Sequence, residues 1–233
     1  LVKKSATAKV SSQKIPAIPR VLRVPKEYEK RVECAPKGKR VIAELAVASI
    51  PAGSVVFLDA GTTIFVLAEV LAKKCPGPLC VVTNSLRVGY LLGSVQDVDV
   101  RMLGGRLMAE ELCLLSAETM AGLAGYHFDL AFLSAGGMTR KGIWNADERF
   151  VIFQRTVISR AAEVWFCLDR FKVGIEEVAF LAPWREADVL LTDATYEDLV
   201  KAQIPLRGVR VMTPGSVAVD RAPRQVSRRK AIY

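Results

Sequence analysis

The sequence predicts an α/β fold, an open, mostly parallel sheet with helices on both faces, and three observations predict it. Short, continuously apolar runs recur along the chain, as strands buried on both faces require. Stretches of helical period lie between most of these runs. The runs are spaced by about 20 to 30 residues, which leaves room for the crossover helices that parallel pairing needs. The chain has 233 residues, 51% apolar and 24% charged, enough to bury a sizeable core and unlike a disordered polymer.

The elements follow in order. Residues 1 to 38 hold Pro16, Pro19, Pro25 and Pro36, Ser11 and Ser12, and scattered charge without a sustained period, the composition of a linker or arm. From Lys39 the texture changes. Val41, Ile42, Leu45, Ala46 and Ser49 recur at helical spacing, and Pro51-Ala52-Gly53 ends that helix before the β-branched run Val55 to Leu58. Further strands are expected at Leu79 to Thr83, Val98 to Leu103, Asp129 to Ser134, Val164 to Asp169, Val178 to Leu181, Asp188 to Thr192 and Val209 to Met212. Helices are expected at Ile64 to Lys74, Leu86 to Leu92, Ser116 to Leu123 and Asp147 to Ala162. The domain therefore runs from 39 to 213, followed by a basic tail at 214 to 233.

Charge divides unevenly along the chain. Residues 1 to 40 carry 12 lysines and arginines against 3 acids, and residues 221 to 233 carry 5 against none, whereas residues 41 to 220 carry 16 against 21. The basic excess sits in the flanks, where it can graze phosphates without reading sequence or simply form a solvated linker, and the domain itself is mildly acidic. No apolar run approaches the roughly 18 residues that span a bilayer, so no membrane partner is expected. Five cysteines without a CxxC, together with one histidine, build no familiar zinc site and read as reduced thiols of a cytoplasmic protein. The single histidine, His127, lies between Tyr126 and Phe128, which argues against a Ser-His-Asp machine and for a packing role near the base of a strand. With neither GxGxxG after the first strand nor GxxxxGK[ST], no cofactor is expected.

In an open α/β sheet, ligands bind outside the carboxyl ends of the strands. Those ends are rich in small and hydroxyl residues: Asp59-Ala60-Gly61-Thr62-Thr63, Thr83-Asn84-Ser85, Gly104-Gly105-Arg106 and Ser134-Ala135-Gly136-Gly137. Each precedes an expected helix N-terminus, where free N–H groups and the helix dipole favour an anion. The same residues are ordinary caps and turn formers, so it is four such loops at successive strand ends that point to a phosphate cradle. Lys172 follows a further strand end and can set an ammonium at the same rim. Asn145, Asp147 and Glu148 open the long helix, with Asn145 and Glu148 at capping-box spacing. Trp144 is placed either to cover a ligand or to pack, and Arg106 to pair with a phosphate or to stand in solvent.

The order of these motifs resembles the DeoR family of bacterial transcriptional regulators. The resemblance rests on Lys39-Arg40-Val41-Ile42-Ala43 leading to Leu58-Asp59-Ala60-Gly61-Thr62-Thr63, then Val81-Val82-Thr83-Asn84-Ser85, Met102-Leu103-Gly104-Gly105, Phe128 to Gly137, and Leu168-Asp169 with Lys172. It covers about residues 39 to 213 and concerns the carboxy-terminal sensor domain. It implies a fold like that of ribose-5-phosphate isomerase, glucosamine-6-phosphate deaminase and the CoA-transferases. It also implies a phosphorylated sugar or polyol as effector, a homo-oligomer, and operator DNA, often repressed, contacted through a winged helix-turn-helix that would precede residues 1 to 38 and that nothing in this chain matches. The implied effector site comprises Gly61, Thr62, Thr63, Thr83, Asn84, Ser85, Gly104, Gly105, Gly136, Gly137 and Lys172. Many members have an aspartate where Gly136 stands and carboxylates near Arg149 and Ile152, which leaves Asn145, Asp147 or Glu148 as substitutes for sugar contacts. The alternative on the same fold is a sugar-phosphate isomerase or deaminase, with Asp59, Asp147 or Glu148 as the base.

Overall fold

Two apolar layers enclose one seven-stranded sheet. The structure, a computed structural model, describes residues 25–205 and 207–214. All pairings in the sheet are parallel, in the order β12-β11-β9-β6-β1-β2-β3. The strands are β1 (Val55–Leu58), β2 (Leu79–Thr83), β3 (Val98–Met102), β6 (Phe128–Leu133), β9 (Ala161–Cys167), β11 (Val189–Leu191) and β12 (Arg210–Met212). The chain starts in the middle with β1, winds out to β3, then returns to β6 and winds the other way. The direction of winding reverses between β1 and β6.

Burial on both faces explains the continuous apolar runs. On one face Val56, Leu58, Val81 and Phe132 meet α2 (Pro36–Val47), α3 (Thr62–Leu71) and α4 (Leu86–Leu92). On the other, Phe57, Val82, Ala131 and Phe166 meet α6 (Glu148–Ile158), with Leu123 and Leu199 at the margins. Phe57 is fully buried, and its ring lies 5.3 Å from Phe128 and 5.9 Å from Phe153. α5 (Ala117–Gly122) and α7 (Tyr196–Lys201) are short connectors.

Four features depart from the sequence reading. Residues 26 to 33 are not irregular: α1 (Lys26–Glu33) is a helix bracketed by Pro25 and by Ala35, which has a left-handed backbone with φ of 53°. The folded body thus takes in residues 25–38, placed by sequence in the linker; residues 1–24 of that arm, and the basic tail beyond Pro214, lie outside the described residues. The run expected at Val178 to Leu181 forms β10 (Ala179–Ala182) outside the parallel sheet, in an antiparallel three-stranded sheet with β7 (Gly137–Thr139) and β8 (Gly142–Asn145). The loop at Gly104 to Arg106 leads into a hairpin, β4 (Leu107–Met108) and β5 (Cys113–Leu114), rather than straight into a helix. His127 is exposed ahead of β6, not packed.

Truncating Phe57 to Ala removes the centre of the aromatic cluster beneath α6. The expected cost is about 3–5 kcal/mol in urea denaturation, and a loss below about 1 kcal/mol would contradict this packing.

Candidate functional site

A cavity of about 270 Å³ opens at the carboxyl ends of β1, β6 and β9, where the winding reverses. Its floor is Asp59 to Thr63 after β1 and Ser134 to Gly136 after β6. Asn145, Asp147, Phe150 and Gln154 of the β8–α6 turn wall one side, and Asp169, Phe171, Lys172 and Glu177 another. Arg31, Cys34, Lys39 and Glu111 complete the rim.

Asp59 organises the floor. The residue is 3% exposed. Its backbone N–H donates to the Phe132 carbonyl at 3.2 Å, continuing the β1–β6 ladder past the last strand residue. Its carboxylate accepts from the Ala60 N–H at 2.8 Å, the Ser134 N–H at 3.3 Å and Gln154 Nε2 at 2.7 Å. Gln154 Nε2 also donates to the Ser134 carbonyl at 2.7 Å, while Gln154 Oε1 accepts from Asn145 Nδ2 at 2.9 Å, and Asn145 Oδ1 accepts from the Ala146 N–H. This single direction of donation fixes both amide orientations. Burial pushes the Asp59 carboxyl above the ordinary aspartate range, and the bonds from Gln154, Ala60 and Ser134 pull it back.

The α3 N-terminus opens into this cavity. Gly61 is its N-cap and supplies no side-chain cap, so the amides of the first turn are left to solvent or a ligand. A Cβ at Gly61 would collide with the Ser134 hydroxyl and crowd its Cβ, so glycine lets the two strand ends close up without displacing Ser134. The hydroxyls of Thr62 and Thr63 have no hydrogen-bond partner among the described residues. Around this end stand the cations Arg31, Lys39 and Lys172.

Lys39, 3% exposed, anchors α1. Its ammonium donates to the Arg31 carbonyl at 2.8 Å and to the Cys34 carbonyl, and lies 3.7 Å from Asp169 Oδ2. Burial lowers its pKa, and Asp169 opposes that shift. Arg31 makes two bonds to Glu111, at 2.9 and 2.5 Å. Further along α1, Tyr28 is buried beside Arg87, whose guanidinium lies 5.2 Å from the Tyr28 ring and 3.6 Å from that of Phe65.

The structure brings Asp59, Gly61, Thr62, Thr63, Ser134, Gly136, Asn145, Asp147 and Lys172 to one cavity and leaves the other expected residues outside its lining. Thr83 is buried and spends its hydroxyl on the Leu58 carbonyl. Asn84 donates to the Leu114 carbonyl, and Ser85 caps α4 by accepting from the Val88 N–H. The Gly104 carbonyl accepts from Thr119, Gly105 turns beside Ser116 and Thr119, and Arg106 is exposed. Gly137 starts β7 against the backbone of Ile175. These loops follow β2 and β3, beyond the point where the winding reverses, or belong to the small sheet. The capping box expected between Asn145 and Glu148 is replaced by Asp147, which accepts from the Arg149 N–H at 2.8 Å and frees Asn145 for Gln154. Trp144 packs, its ring 5.1 Å from Phe180. Lys39, Asp169, Arg31, Glu111, Gln154 and Glu177 are cavity residues that the strand-end reading did not single out.

A parallel sheet whose cavity lies at the point of reversal, floored by a helix N-terminus and lined by both cations and carboxylates, defines an α/β ligand-binding domain. Residues 35–194 match the DeoR C terminal sensor domain, and the chain belongs to that family. The HTH-type transcriptional repressor GlcR of Bacillus subtilis (strain 168) is 30% identical over 177 residues, covering 76% of this chain and 67% of that protein. The glycerol-3-phosphate regulon repressor of Escherichia coli (strain K12) is 27% identical over 157 residues, 67% of this chain and 62% of that protein. Among solved structures, translation initiation factor eIF-2B of Pyrococcus horikoshii OT3 aligns with a TM-score of 0.48 and 15% identity, over 71% of this chain and 64% of that one. Ribose 5-phosphate isomerase A of Methanocaldococcus jannaschii aligns with a TM-score of 0.43 and 16% identity, over 57% of this chain and 52% of that one. No helix among the described residues is long and apolar enough to cross a membrane.

Two predictions follow from the geometry. Because the folded pKa of Asp59 is raised, its favourable contribution is full at low pH and is lost as pH rises through that folded value. Thermal melts of the wild type and Asp59→Asn across the acidic to neutral range should therefore show the wild type losing ground to the variant as pH rises; a flat or opposite trend contradicts the assignment. Lys39→Met strands Asp169 and the carbonyls of Arg31 and Cys34 at the end of α1, and should cost about 3 kcal/mol in chemical denaturation, with faster amide exchange in α1 than in β1.

Proposed function

We propose that this domain binds a phosphorylated sugar or polyol in the cavity after β1, and that binding controls operator affinity in the intact regulator. One observation carries the reading: the uncapped α3 N-terminus, with the idle hydroxyls of Thr62 and Thr63, lines the same cavity as Lys172, whose ammonium has no ion-pair partner among the described residues. The phosphate would sit on the amides of Gly61 to Ile64, with Lys172 as counter-ion and Asn145 toward the sugar. The name of the Escherichia coli relative, a glycerol-3-phosphate regulon repressor, supports an effector of this class. DNA contact would be made by a reading domain outside this chain, and a homo-oligomer would match paired operator half-sites.

The domain would act by binding and not by turnover. The three bases that the sequence offers are spoken for or out of place: Asp59 accepts three hydrogen bonds, Asp147 caps α6 and pairs with Arg149 at 2.6 Å, and Glu148 is exposed outside the cavity lining, which leaves Glu177 as the uncommitted carboxylate among the described lining residues. A base must reach the proton that it abstracts.

A thermal-shift series compares inorganic phosphate, glycerol 3-phosphate and hexose phosphates with their unphosphorylated forms, on the wild type, Thr62→Ala and Lys172→Ala. A ligand at a hundredfold excess over Kd adds about 2.7 kcal/mol, or roughly 5 to 10 °C for a domain of this size. The expected result is a shift confined to phosphorylated compounds and lost in both variants. Conversion of ribose 5-phosphate or an amino-sugar phosphate, abolished by Lys172→Ala, would replace this reading with the isomerase or deaminase.

A further inference from the structure

We propose that Glu177 is a specificity-determining residue of the cavity, selecting ligands that carry a hydroxyl or ammonium donor besides their anionic group. The inference rests on the anion site described above and concerns what that site admits besides phosphate.

The cavity's carboxylates differ in how they are engaged. Asp59 accepts three donors, Glu111 holds Arg31, Asp147 holds Arg149, and Asp169 faces Lys39 and accepts from the Phe171 N–H. Glu177 lines the same cavity and has no side-chain hydrogen bond or ion pair among the described residues. Its neighbour Glu176 is taken outward by Lys141, at 3.0 and 3.1 Å. The cations divide likewise, since Arg31 and Lys39 are engaged and the ammonium of Lys172 is not. The cavity therefore offers one idle cation and one idle carboxylate.

The backbone holds Glu177 in position. The Gly174 N–H donates to the Met138 carbonyl at 2.8 Å, Val173 bridges to Met138, and the Ile175 backbone packs on Gly137. Gly136 completes the arrangement, because a Cβ there would stand 2.7 Å from Glu177 Cγ and 3.1 Å from Oε1. The absence of a side chain at 136 is thus what admits the glutamate to the cavity wall.

An ionised carboxylate only accepts hydrogen bonds, and it repels a phosphate placed against it. Glu177 is accordingly suited to the donor-bearing end of a ligand whose anionic end lies at α3 and Lys172. A hydroxyl or ammonium there makes a charge-assisted bond, stronger than a neutral one. Inorganic phosphate has no such end and gains nothing from Glu177.

The test is calorimetric titration of the full 233-residue chain with inorganic phosphate, glycerol 3-phosphate and glucosamine 6-phosphate, on the wild type, Glu177→Ala, Gly136→Ala and Lys172→Ala. Glu177→Ala is expected to weaken the most tightly bound of the two organic phosphates by about tenfold or more and to leave inorganic phosphate unchanged or slightly tighter. Gly136→Ala, which displaces the glutamate, should reproduce that pattern; should it melt early, Glu177→Ala alone decides. If inorganic phosphate binds and is lost in Lys172→Ala, yet the organic phosphates respond to Glu177→Ala no differently from it, the anion site stands and the role of Glu177 is overturned. If none of the three probes binds the wild type, the anion site itself fails and the proposal falls with it.

Discussion

Asp59 places a buried carboxylate at the end of β1, and its surroundings follow from having to supply it with donors. An unpaired carboxylate in that position would cost several kcal/mol or take up a proton. Two donors are backbone amides, from Ala60 and Ser134, and these pin the chain as it leaves β1 and β6. The third comes from Gln154, fully buried in α6, and it ties a helix on one face of the sheet to the strand ends. Gln154 in turn holds Asn145 at the end of β8, so the small antiparallel sheet is set relative to the large parallel one. The cavity walls therefore share one polar joint, and Gly61, packed on Ser134, brings the α3 N-terminus to the same place.

Around that joint most charges are already paired. Arg31 with Glu111 and Arg149 with Asp147 are partly exposed pairs, worth little to stability on their own. Their consequence is geometric, since they hold long side chains along the rim and lower the ordering cost of binding. α1 relies less on the Arg31 pair than on Tyr28, buried beside Arg87 and Phe65, and on Lys39, which satisfies the carbonyls at its last turn. What remains uncommitted is the first turn of α3 with its two threonines, Lys172 and Glu177.

The central strands were legible because burial on both faces writes itself as an unbroken apolar run, whereas the edge strand β3, with Asp99 and Arg101, is largely exposed. The same signal misplaced β10: Ala179 to Ala182 is as apolar as a core strand, and a four-residue run does not record whether its partner is parallel or antiparallel. α1 was hidden by Pro25, Pro36 and its charge, since an eight-residue helix with Tyr28 as its one buried residue leaves no period to count. Reading strand ends reached the floor of the cavity but included Thr83, Asn84, Ser85, Gly104 and Gly105, because which strand ends share a cleft depends on strand order, a long-range property. Gln154 did leave a trace. It interrupts the buried stripe of Phe150, Val151, Phe153 and Val157, and a polar residue on such a stripe needs a partner inside the protein.

The position of α1 bears on how a ligand in this cavity can matter beyond it. Arg31 and Lys39 belong both to the cavity rim and to the attachment of α1, the first described element of the chain. A ligand that met them identically in two arrangements would shift neither, however tightly it bound. Moving a two-state equilibrium from 1:99 to 99:1 takes a preference of about 10⁴, or about 5.5 kcal/mol. One charge-assisted hydrogen bond supplies about 1.5–3 kcal/mol, so a single changed contact falls short and at least two must differ between the states. The α1 side of the cavity would provide such contacts only by giving up bonds that Arg31 and Lys39 already make, and the Glu177 side would add one that depends on the ligand's identity. In the proposed site the anion contacts of α3 and Lys172 and the donor contact of Glu177 would be held in register by the Asp59 joint.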